Sequence, residues 1–177
     1  SSVRERFIQS GTHYSEMLPL EREPSAEYLA AYKDALKRFA EITARAVAVV
    51  SAKICSGRKS PPTLVSLARA GTPVGILIKH YIEGKYKIAV PHYTISIIRG
   101  KGIDENAVKY ILDRRDPLSV QFVDGWTGKG AIQRQLNEAM KAFPRLNPGL
   151  AVLSDPACVA EFCGTHEDFL IASSCLN

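Results

Sequence analysis

Short apolar runs alternate with helix-like segments over most of this chain, and this alternation constrains the fold more than any other feature. The predicted strands are 63–67, 93–98, 119–124 and 150–154, with a fifth at 168–173. Nearly continuous apolar strands separated by helices are typical of a parallel sheet covered on both faces. The sequence therefore predicts an α/β fold with a mostly parallel central sheet and helices on both sides.

A long helix precedes this alternating region. We expect residues 1–24 to be an irregular arm, and the apolar spacing of three and four residues predicts a helix over 25–54. Its apolar face should pack through Leu29, Leu36, Phe39 and Ile42. The following "CSGRKSPP" ends the helix, because glycine and two prolines cannot continue it.

Composition is ordinary for a globular protein. The chain of 177 residues is 46% hydrophobic and 23% charged, so we expect a single domain over 1–177. No apolar run reaches the ~20 residues of a membrane helix, and the first residues resemble no secretory signal. We therefore expect a cytoplasmic protein without membrane association. The net charge of +5 suits an anionic ligand and equally suits an ordinary surface.

The four cysteines are Cys55, Cys158, Cys163 and Cys175, and they form no CxxC pair. We expect no disulfide in a reducing compartment. Cys158, Cys163 and Cys175, with His166, could in principle fill a tetrahedral zinc site, but their spacing matches no compact knuckle. We therefore expect no metal held directly by protein ligands.

The loop "LARAGTP" links the first predicted strand to a helix. In a parallel sheet, ligands bind outside the carboxyl ends of the strands. Arginine offers a forked donor to phosphate oxygens, glycine permits a close backbone approach, and the helix adds its positive end. A plain strand–helix turn is the alternative. The candidate anion-binding residues are Ala68, Arg69, Ala70, Gly71 and Thr72.

A second loop, "DGWTGKG", follows the strand at 119–124. Backbone N–H groups of 127–130 could surround a phosphate at the start of the next helix. A Walker loop would need glycine at 123 and serine or threonine at 130, where this chain has Val123 and Gly130. ATP hydrolysis of that kind is not expected. The candidate residues are Asp124, Thr127, Gly128, Lys129 and Gly130.

Three features, in the same order along the chain as in that family, resemble the type I phosphoribosyltransferases. "QFVDGWTGKG" is similar to their loop for the 5-phosphate of phosphoribosyl pyrophosphate (PRPP), and "TLVSLARAGTP" to their pyrophosphate loop. "RGKGID" lies where that family keeps a mobile basic hood. The resemblance is closer still to the phosphoribosyltransferase-like proteins of bacterial tellurite-resistance and stress-response operons, also labelled cysteine protease StiP-like.

That closer resemblance rests on five stretches spread over nearly the whole chain. They are "HYSEMLPLEREPS", "SLARAGTPVGILIK", "HYTISIIRGKGIDENAVKYIL", "FVDGWTGKGAI" and "DFLIASSCLN". Chains of the family continue further, often towards an RNA-binding-like module. We therefore expect this sequence, which stops at "CLN", to be part of a longer chain.

The resemblance implies phosphoribosyl transfer with Mg²⁺ and PRPP as a small-molecule substrate. Arg69, Arg99 and Lys101 would stabilise the departing pyrophosphate, Asp124 would hold the ribose hydroxyls, and residues 127–130 would hold the 5-phosphate. Mg²⁺ would arrive with the substrate rather than on protein ligands. The sequence does not identify the molecule that would accept the phosphoribosyl group. A homodimer and an RNA or nucleotide partner stay open.

One departure from the family pattern affects turnover. Many type I enzymes have two adjacent acids where this chain has Asp124 followed by Gly125. Trp126 is bulky for this loop and either stacks on a base or packs under the hood. A non-catalytic nucleotide- or RNA-binding module is therefore the first alternative. A cysteine peptidase is the second, with Cys175 as nucleophile and His92 as base.

Overall fold

The computed structural model of this protein describes residues 23–98 and 100–176, with the side chains of 175 and 176 excepted. Arg99 and the arm expected at 1–22 lie outside these described residues. The chain divides into two units, Ser1–Ala31 and Tyr32–Asn177. The sheet and the candidate site belong entirely to the second unit, and a single domain over 1–177 stays a prediction.

The second unit is built on a six-stranded sheet with the order β3-β2-β1-β4-β5-β6. Every neighbouring pair is parallel except β2 and β3, which form an antiparallel hairpin. The mostly parallel sheet is thus confirmed. The strands are β1 (Thr63–Ala68), β2 (His92–Ile98), β3 (Gly102–Ile103), β4 (Val120–Val123), β5 (Leu150–Ser154) and β6 (Phe162–Thr165).

Helices alternate with most of the strands, as the sequence pattern predicts, but no helix separates β5 from β6. They are α1 (Ala26–Cys55), α2 (Gly71–Tyr86), α3 (Glu105–Leu112) and α4 (Ala131–Ala139), and short 3₁₀ helices cover Pro117–Ser119, Met140–Ala142 and Ala172–Leu176. The start of α3 is fixed by Asp104, whose side chain accepts a hydrogen bond of 3.0 Å from the Ala107 amide. Helix α4 begins after Gly130, which has φ of 68°.

Two hydrophobic cores lie on the two faces of the sheet. Neighbouring strand residues alternate between them, so Leu64 and Val123 belong to one core while Val65 and Phe122 belong to the other. Helices α1 and α2 cover the first face through Val47, Val50, Ile54, Val74, Ile78 and Ile82. Helices α3 and α4 cover the second face through Val108, Ile111 and Leu136. The predicted helices on both faces are confirmed.

The sequence placed the last strand wrongly. Residues 168–173 form no strand, and the parallel partner of β5 is Phe162–Thr165. A short apolar run such as "FLIA" does not distinguish a strand from a buried irregular segment. Ile171 is buried in the core beneath α1 and α2, so the apolar character of this segment reflects packing rather than sheet pairing.

The packing predicted for the long helix is also wrong. Leu29 and Leu36 are exposed, and Phe39 and Ile42 are only partly buried. The buried residues lie instead on one face of the last three turns, and they are Ala46, Val47, Val50, Ser51 and Ile54. The apolar repeat runs along the whole helix, but only its C-terminal part lies over the sheet. None of the helices in the described part of the chain is long and apolar enough to cross a membrane.

Candidate functional site

The candidate site lies where the strand order of the sheet reverses direction. From β1 the chain crosses through α2 to β2 on one side, and β4 then returns to the other side of β1. The carboxyl ends of β1 and β4 therefore flank the position, here called the crevice, at which ligands usually bind in open α/β sheets. Both loops chosen from the sequence follow these two strands.

The loop after β1 is short and presses against the loop after β4. Ala68 ends β1, Arg69 and Ala70 are exposed, and Gly71 and Thr72 open α2; the Ala68–Arg69 peptide bond is cis. A Cβ atom on Gly71 would lie 2.5 Å from the carbonyl oxygen of Val123. Glycine is therefore required here for steric reasons, because no side-chain carbon approaches a backbone oxygen so closely.

Asp124 stands at the end of β4, directly beside this contact. It is buried, and its Oδ1 accepts a hydrogen bond of 2.8 Å from the Gly125 amide. Burial raises the pKa of this carboxyl from 3.8 to about 6, and the Gly125 hydrogen bond offsets only part of that rise. A carboxyl with such a pKa changes protonation close to neutral pH, which is common at functional sites.

Thr127 is tied into the sheet rather than turned towards the crevice. Its amide donates to the Ser154 carbonyl at 3.1 Å, and its hydroxyl donates to Oδ1 of the fully buried Asp155. Both of its donors are thus used inside the protein. Its expected contact with phosphate stays a prediction, and in this structure Thr127 positions the loop that follows.

The next three residues form the part of the loop that is free to bind. Within the described residues, the amides of Gly128, Lys129 and Gly130 donate to no intramolecular acceptor. Gly130 has φ of 68° and precedes the first residue of α4, so these amides stand at a helix N-terminus. Adjacent unpaired N–H groups at a helix start suit an anion. The side chain of Lys129 is exposed beside them.

Trp126 lies across this loop. A Cβ on Gly128 would come within 2.5 Å of its Cζ3 atom, and its indole Nε1 donates to Asp168 Oδ1 at 3.0 Å. The ring is 47% exposed. The indole contacts Gly128 and Asp168. The two roles predicted from the sequence, stacking on a base and packing under the hood, stay predictions.

The basic hood is the tip of the β2–β3 hairpin. The Gly100 amide donates to Gln135 Oε1 on α4 at 2.8 Å, so the tip lies beside the helix that begins at Gly130. Lys101 is exposed on the tip. Arg99 lies outside the described residues, and its role stays a prediction.

Gly125, the position at which many type I enzymes have the second acid, has room for a Cβ atom. A Cβ on Gly125 would meet its nearest neighbour, Ile171 Cδ1, at 3.5 Å, which is an ordinary van der Waals distance. Steric crowding at Cβ therefore does not explain why this chain has glycine there.

The structure also brings together two of the cysteines that the sequence grouped with His166, and it adds Asp155 to them. Cys158 Sγ lies 3.5 Å from His166 Nδ1, and Cys163 Sγ lies 3.5 Å from His166 Nε2. Asp155 completes the group with Cys163 and His166. The sequence signal for Asp155 was its place directly after the buried β5, the same rule that singled out Asp124. Burial raises the pKa of the Cys163 thiol.

The peptidase pair of Cys175 and His92 stays a prediction, because one of the two side chains lies outside the described residues. His92 is the first residue of β2, so it lies at the end of the strand opposite to the crevice. Its Nε2 lies 2.8 Å from Ser66 Oγ. Burial, with a smaller contribution from Lys79, lowers the pKa of His92. The Cys175 side chain lies outside the described residues. Cys55, Cys158 and Cys163 are free thiols.

The sheet order is that of the type I phosphoribosyltransferase fold, and solved structures support this fold class. A hypoxanthine phosphoribosyltransferase from Trypanosoma cruzi, in complex with the product IMP, superimposes with a TM-score of 0.50 at 16% identity, over 71% of this chain and 72% of that one. An asparagine mutant from an analysis of an invariant aspartic acid in HPRTs gives 0.50 at 16% identity, over 71% and 74%.

Within that class, the chain belongs to the family described as "Tellurite-like stress resistance cysteine protease StiP", which matches residues 1–177. Cysteine protease StiP from Acinetobacter baylyi is 40% identical over 181 residues, which cover 100% of this chain. The chain spans about half the length of that relative, 47%. The family resemblance inferred from the sequence is confirmed.

Proposed function

We propose that this protein binds PRPP, or a related ribose phosphate, in the crevice between the loops after β1 and β4. The observation that carries the proposal is the tight contact of Gly71 with the backbone of Val123 and Asp124. The arginine loop, the buried carboxylate and the run of unpaired amides on either side of this contact support the proposal. Fold alone does not define function, so the proposal rests on this site.

Each end of the ligand has a chemical counterpart. The 5-phosphate would accept hydrogen bonds from the amides of residues 128–130, with Lys129 adding a point charge. The carboxylate of Asp124 would accept hydrogen bonds from the ribose hydroxyls. Arg69, with Lys101 and Arg99 from the hood, would neutralise the pyrophosphate as it departs.

The residues present suit Mg²⁺ that arrives with the substrate. Among the described residues at these two loops, Asp124 is the one carboxylate, and a single carboxylate with substrate phosphates is a usual arrangement for this cation. The ion would supply charge neutralisation on the pyrophosphate. A base or another nucleophile would accept the phosphoribosyl group, in the stress-resistance context that the family description names.

Binding is tested by thermal unfolding. A ligand at about 100 times its dissociation constant stabilises a fold by roughly 2.7 kcal/mol, and each kcal/mol is worth about 2–4 °C here. PRPP with Mg²⁺ should therefore raise Tm by roughly 5–11 °C. Gly128→Val should abolish the rise, because its side chain would collide with Trp126. Lys37→Ala, at an exposed position on α1, is the control. No shift at millimolar PRPP would refute the proposal.

Transfer is tested separately from binding. Pyrophosphate release is measured with PRPP and a panel of bases, and Gly125→Asp is compared with the native chain because a Cβ fits there. Release by the native chain supports a transferase. Binding without release by any acceptor favours the non-catalytic nucleotide- or RNA-binding module, for which the absent second acid is the supporting observation.

The cysteine peptidase is a second candidate function. The supporting observations are the family description and the exposed Cys158 thiol, 3.5 Å from an imidazole nitrogen of His166. Iodoacetamide labelling combined with a peptidase assay tests it. Loss of peptide hydrolysis in step with alkylation of one cysteine would support this function, and hydrolysis unaffected by alkylation of all thiols would exclude it.

A further inference from the structure

The cluster beyond β5 and β6 is separate from the ribose-phosphate crevice and contains the ligand types of a metal site. Asp155 directly follows β5, Cys163 lies in β6, and His166 directly follows β6. One ligand atom from each of these three residues lies within 4.8 Å of the others. Cys158 contributes a second thiol from the loop between the strands, 3.5 Å from the same imidazole.

The imidazole of His166 is oriented as in metal-binding histidines. Its Nδ1 lies 2.9 Å from the backbone carbonyl oxygen of Asp155, so Nδ1 carries the proton and donates it. The lone pair of Nε2 then points to the side of Cys163 Sγ, 3.5 Å away. Ligating histidines commonly donate their other ring N–H to a backbone carbonyl in this way, which fixes the tautomer and the ring.

The carboxylate of Asp155 is buried without a lysine or arginine partner among the described residues. Its Oδ1 accepts from the Thr127 hydroxyl and the Val159 amide, and its Oδ2 accepts from the Ala160 amide at 3.0 Å. Oδ2 also faces His166 Nδ1 at 3.9 Å. A buried carboxylate is costly unless its charge is compensated, and a bound cation would complete that compensation.

The backbone of Cys158 supports a role for its thiol. Its φ is 52°, in the left-handed region that residues with a Cβ rarely adopt. Its amide donates to the Asp155 carbonyl at 3.1 Å, which closes the turn. Such outliers concentrate at functional sites, and this one carries the exposed thiol next to His166.

We propose that Asp155, Cys163 and His166 bind one thiophilic divalent cation of the zinc class, and that the thiol of the neighbouring Cys158 moves in as the fourth ligand. In a tetrahedral site with bonds of about 2.0–2.3 Å, ligand atoms stand roughly 3.3–3.8 Å apart, and Cys163 Sγ lies 3.5 Å from His166 Nε2 here. Two thiols and an imidazole exclude Mg²⁺ and Ca²⁺, which prefer oxygen ligands. Binding releases the thiol protons to solvent.

This proposal departs from the expectation drawn from the sequence. Cysteine spacing alone matched no compact zinc knuckle, and it grouped Cys175 with the other ligands. Among the described residues the cluster adds Asp155, which gives the pattern D-x₂-C-x₄-C-x₂-H within twelve consecutive residues. The site would also brace the phosphate loop, because Asp155 already holds Thr127.

The test is titration of the reduced, metal-free protein with Co²⁺ and then with Zn²⁺. We expect one equivalent of Co²⁺ to give a thiolate-to-cobalt charge-transfer band, and one equivalent of Zn²⁺ to remove it. His166→Gln should weaken binding more than about 10-fold, since even outer-shell partners of metals are worth that much. His80→Gln, at an exposed histidine on α2, is the matched control and should bind as the native chain does.

The variants leave the result interpretable even if one of them fails to fold. Cys158→Ser changes an exposed thiol and should also weaken binding, whereas Cys55→Ser, outside the cluster, should not. A missing cobalt band in the native chain, or a band that survives both His166→Gln and Cys158→Ser, would overturn the proposal. So would peptide hydrolysis by metal-free protein together with alkylation of Cys158 that zinc does not slow.

Discussion

The hydroxyl of Thr127 donates a hydrogen bond to the buried carboxylate of Asp155, and so joins the ends of β4 and β5. Among the described residues, this bond links the loop after β4 to the cluster of Asp155, Cys163 and His166. On one side Thr127 leads into the unpaired amides of residues 128–130. On the other side Asp155 anchors the turn that contains Cys158. Asp155 therefore helps to hold the loop of residues 128–130 in position, although Asp155 itself does not face the crevice.

Thr127→Val should destabilise the protein by about 1–3 kcal/mol, because it removes one donor from a buried carboxylate while nearly conserving side-chain volume. Thermal unfolding would show a fall of about 2–4 °C for each kcal/mol. Thr94→Val, at an exposed position of β2, makes the same chemical change and should leave Tm within about 1–2 °C of the native value. Equal effects of the two substitutions would contradict the role given to Asp155.

Asp124→Asn should stabilise the protein at neutral pH. Because the pKa of Asp124 is higher in the folded than in the unfolded protein, its protonated carboxyl contributes stability at low pH. This contribution is fully present below pH 3.8 and is lost as pH rises through about 6. The ionised carboxyl therefore costs the folded state up to about 3 kcal/mol above that range. Asparagine keeps an acceptor for the Gly125 amide and carries no charge.

Urea unfolding at several pH values measures this effect. The gain for Asp124→Asn should be largest at pH 7.5 and shrink as pH falls from 6 towards 4. Asp34→Asn, on the exposed side of α1, should show no such trend. The same variant should weaken PRPP binding at neutral pH, because the ribose hydroxyls lose a charged acceptor. A variant that is less stable than the native protein at every pH would exclude this explanation.

Two glycines of α2 should respond oppositely to alanine. Gly71→Ala forces a Cβ to 2.5 Å from the Val123 carbonyl oxygen and should cost about 1–3 kcal/mol. Gly84→Ala meets no heavy atom within 4 Å and should stabilise the helix by about 0.5–1 kcal/mol. Chemical unfolding measures both. A neutral Gly71→Ala would show that the two loops are not in close contact.

The fluorescence of Trp126 should report ligand binding, because it is the one tryptophan of the chain and lies across Gly128. PRPP should change its emission in a saturable way. Lys129→Ala should raise the Kd about 10-fold, which corresponds to 1.4 kcal/mol. Lys141→Ala, whose exposed ammonium pairs with Glu138, is the control and should leave Kd unchanged. Emission that ignores saturating PRPP would place the ligand elsewhere.

The sequence by itself determined the parallel sheet, its helices and the two loops of the crevice. These features follow from patterns between residues that are close along the chain, such as apolar runs, glycines and the start of a helix. Local patterns are reliable because backbone geometry sets the periods of strand and helix. For the same reason, Asp124 and residues 127–130 could be chosen as a candidate site before any contact was known.

Only the tertiary structure decided which residues meet across the fold. Thr127 was predicted to contact phosphate, but Asp155, 28 positions away, takes its hydroxyl. Helix α1 repeats its apolar pattern throughout, yet the sheet reaches only its last turns. The strand after β5 lies at Phe162–Thr165 because pairing with β5, rather than apolar character, selects it. Such long-range contacts depend on the packing of distant segments, and no local pattern in the sequence encodes them.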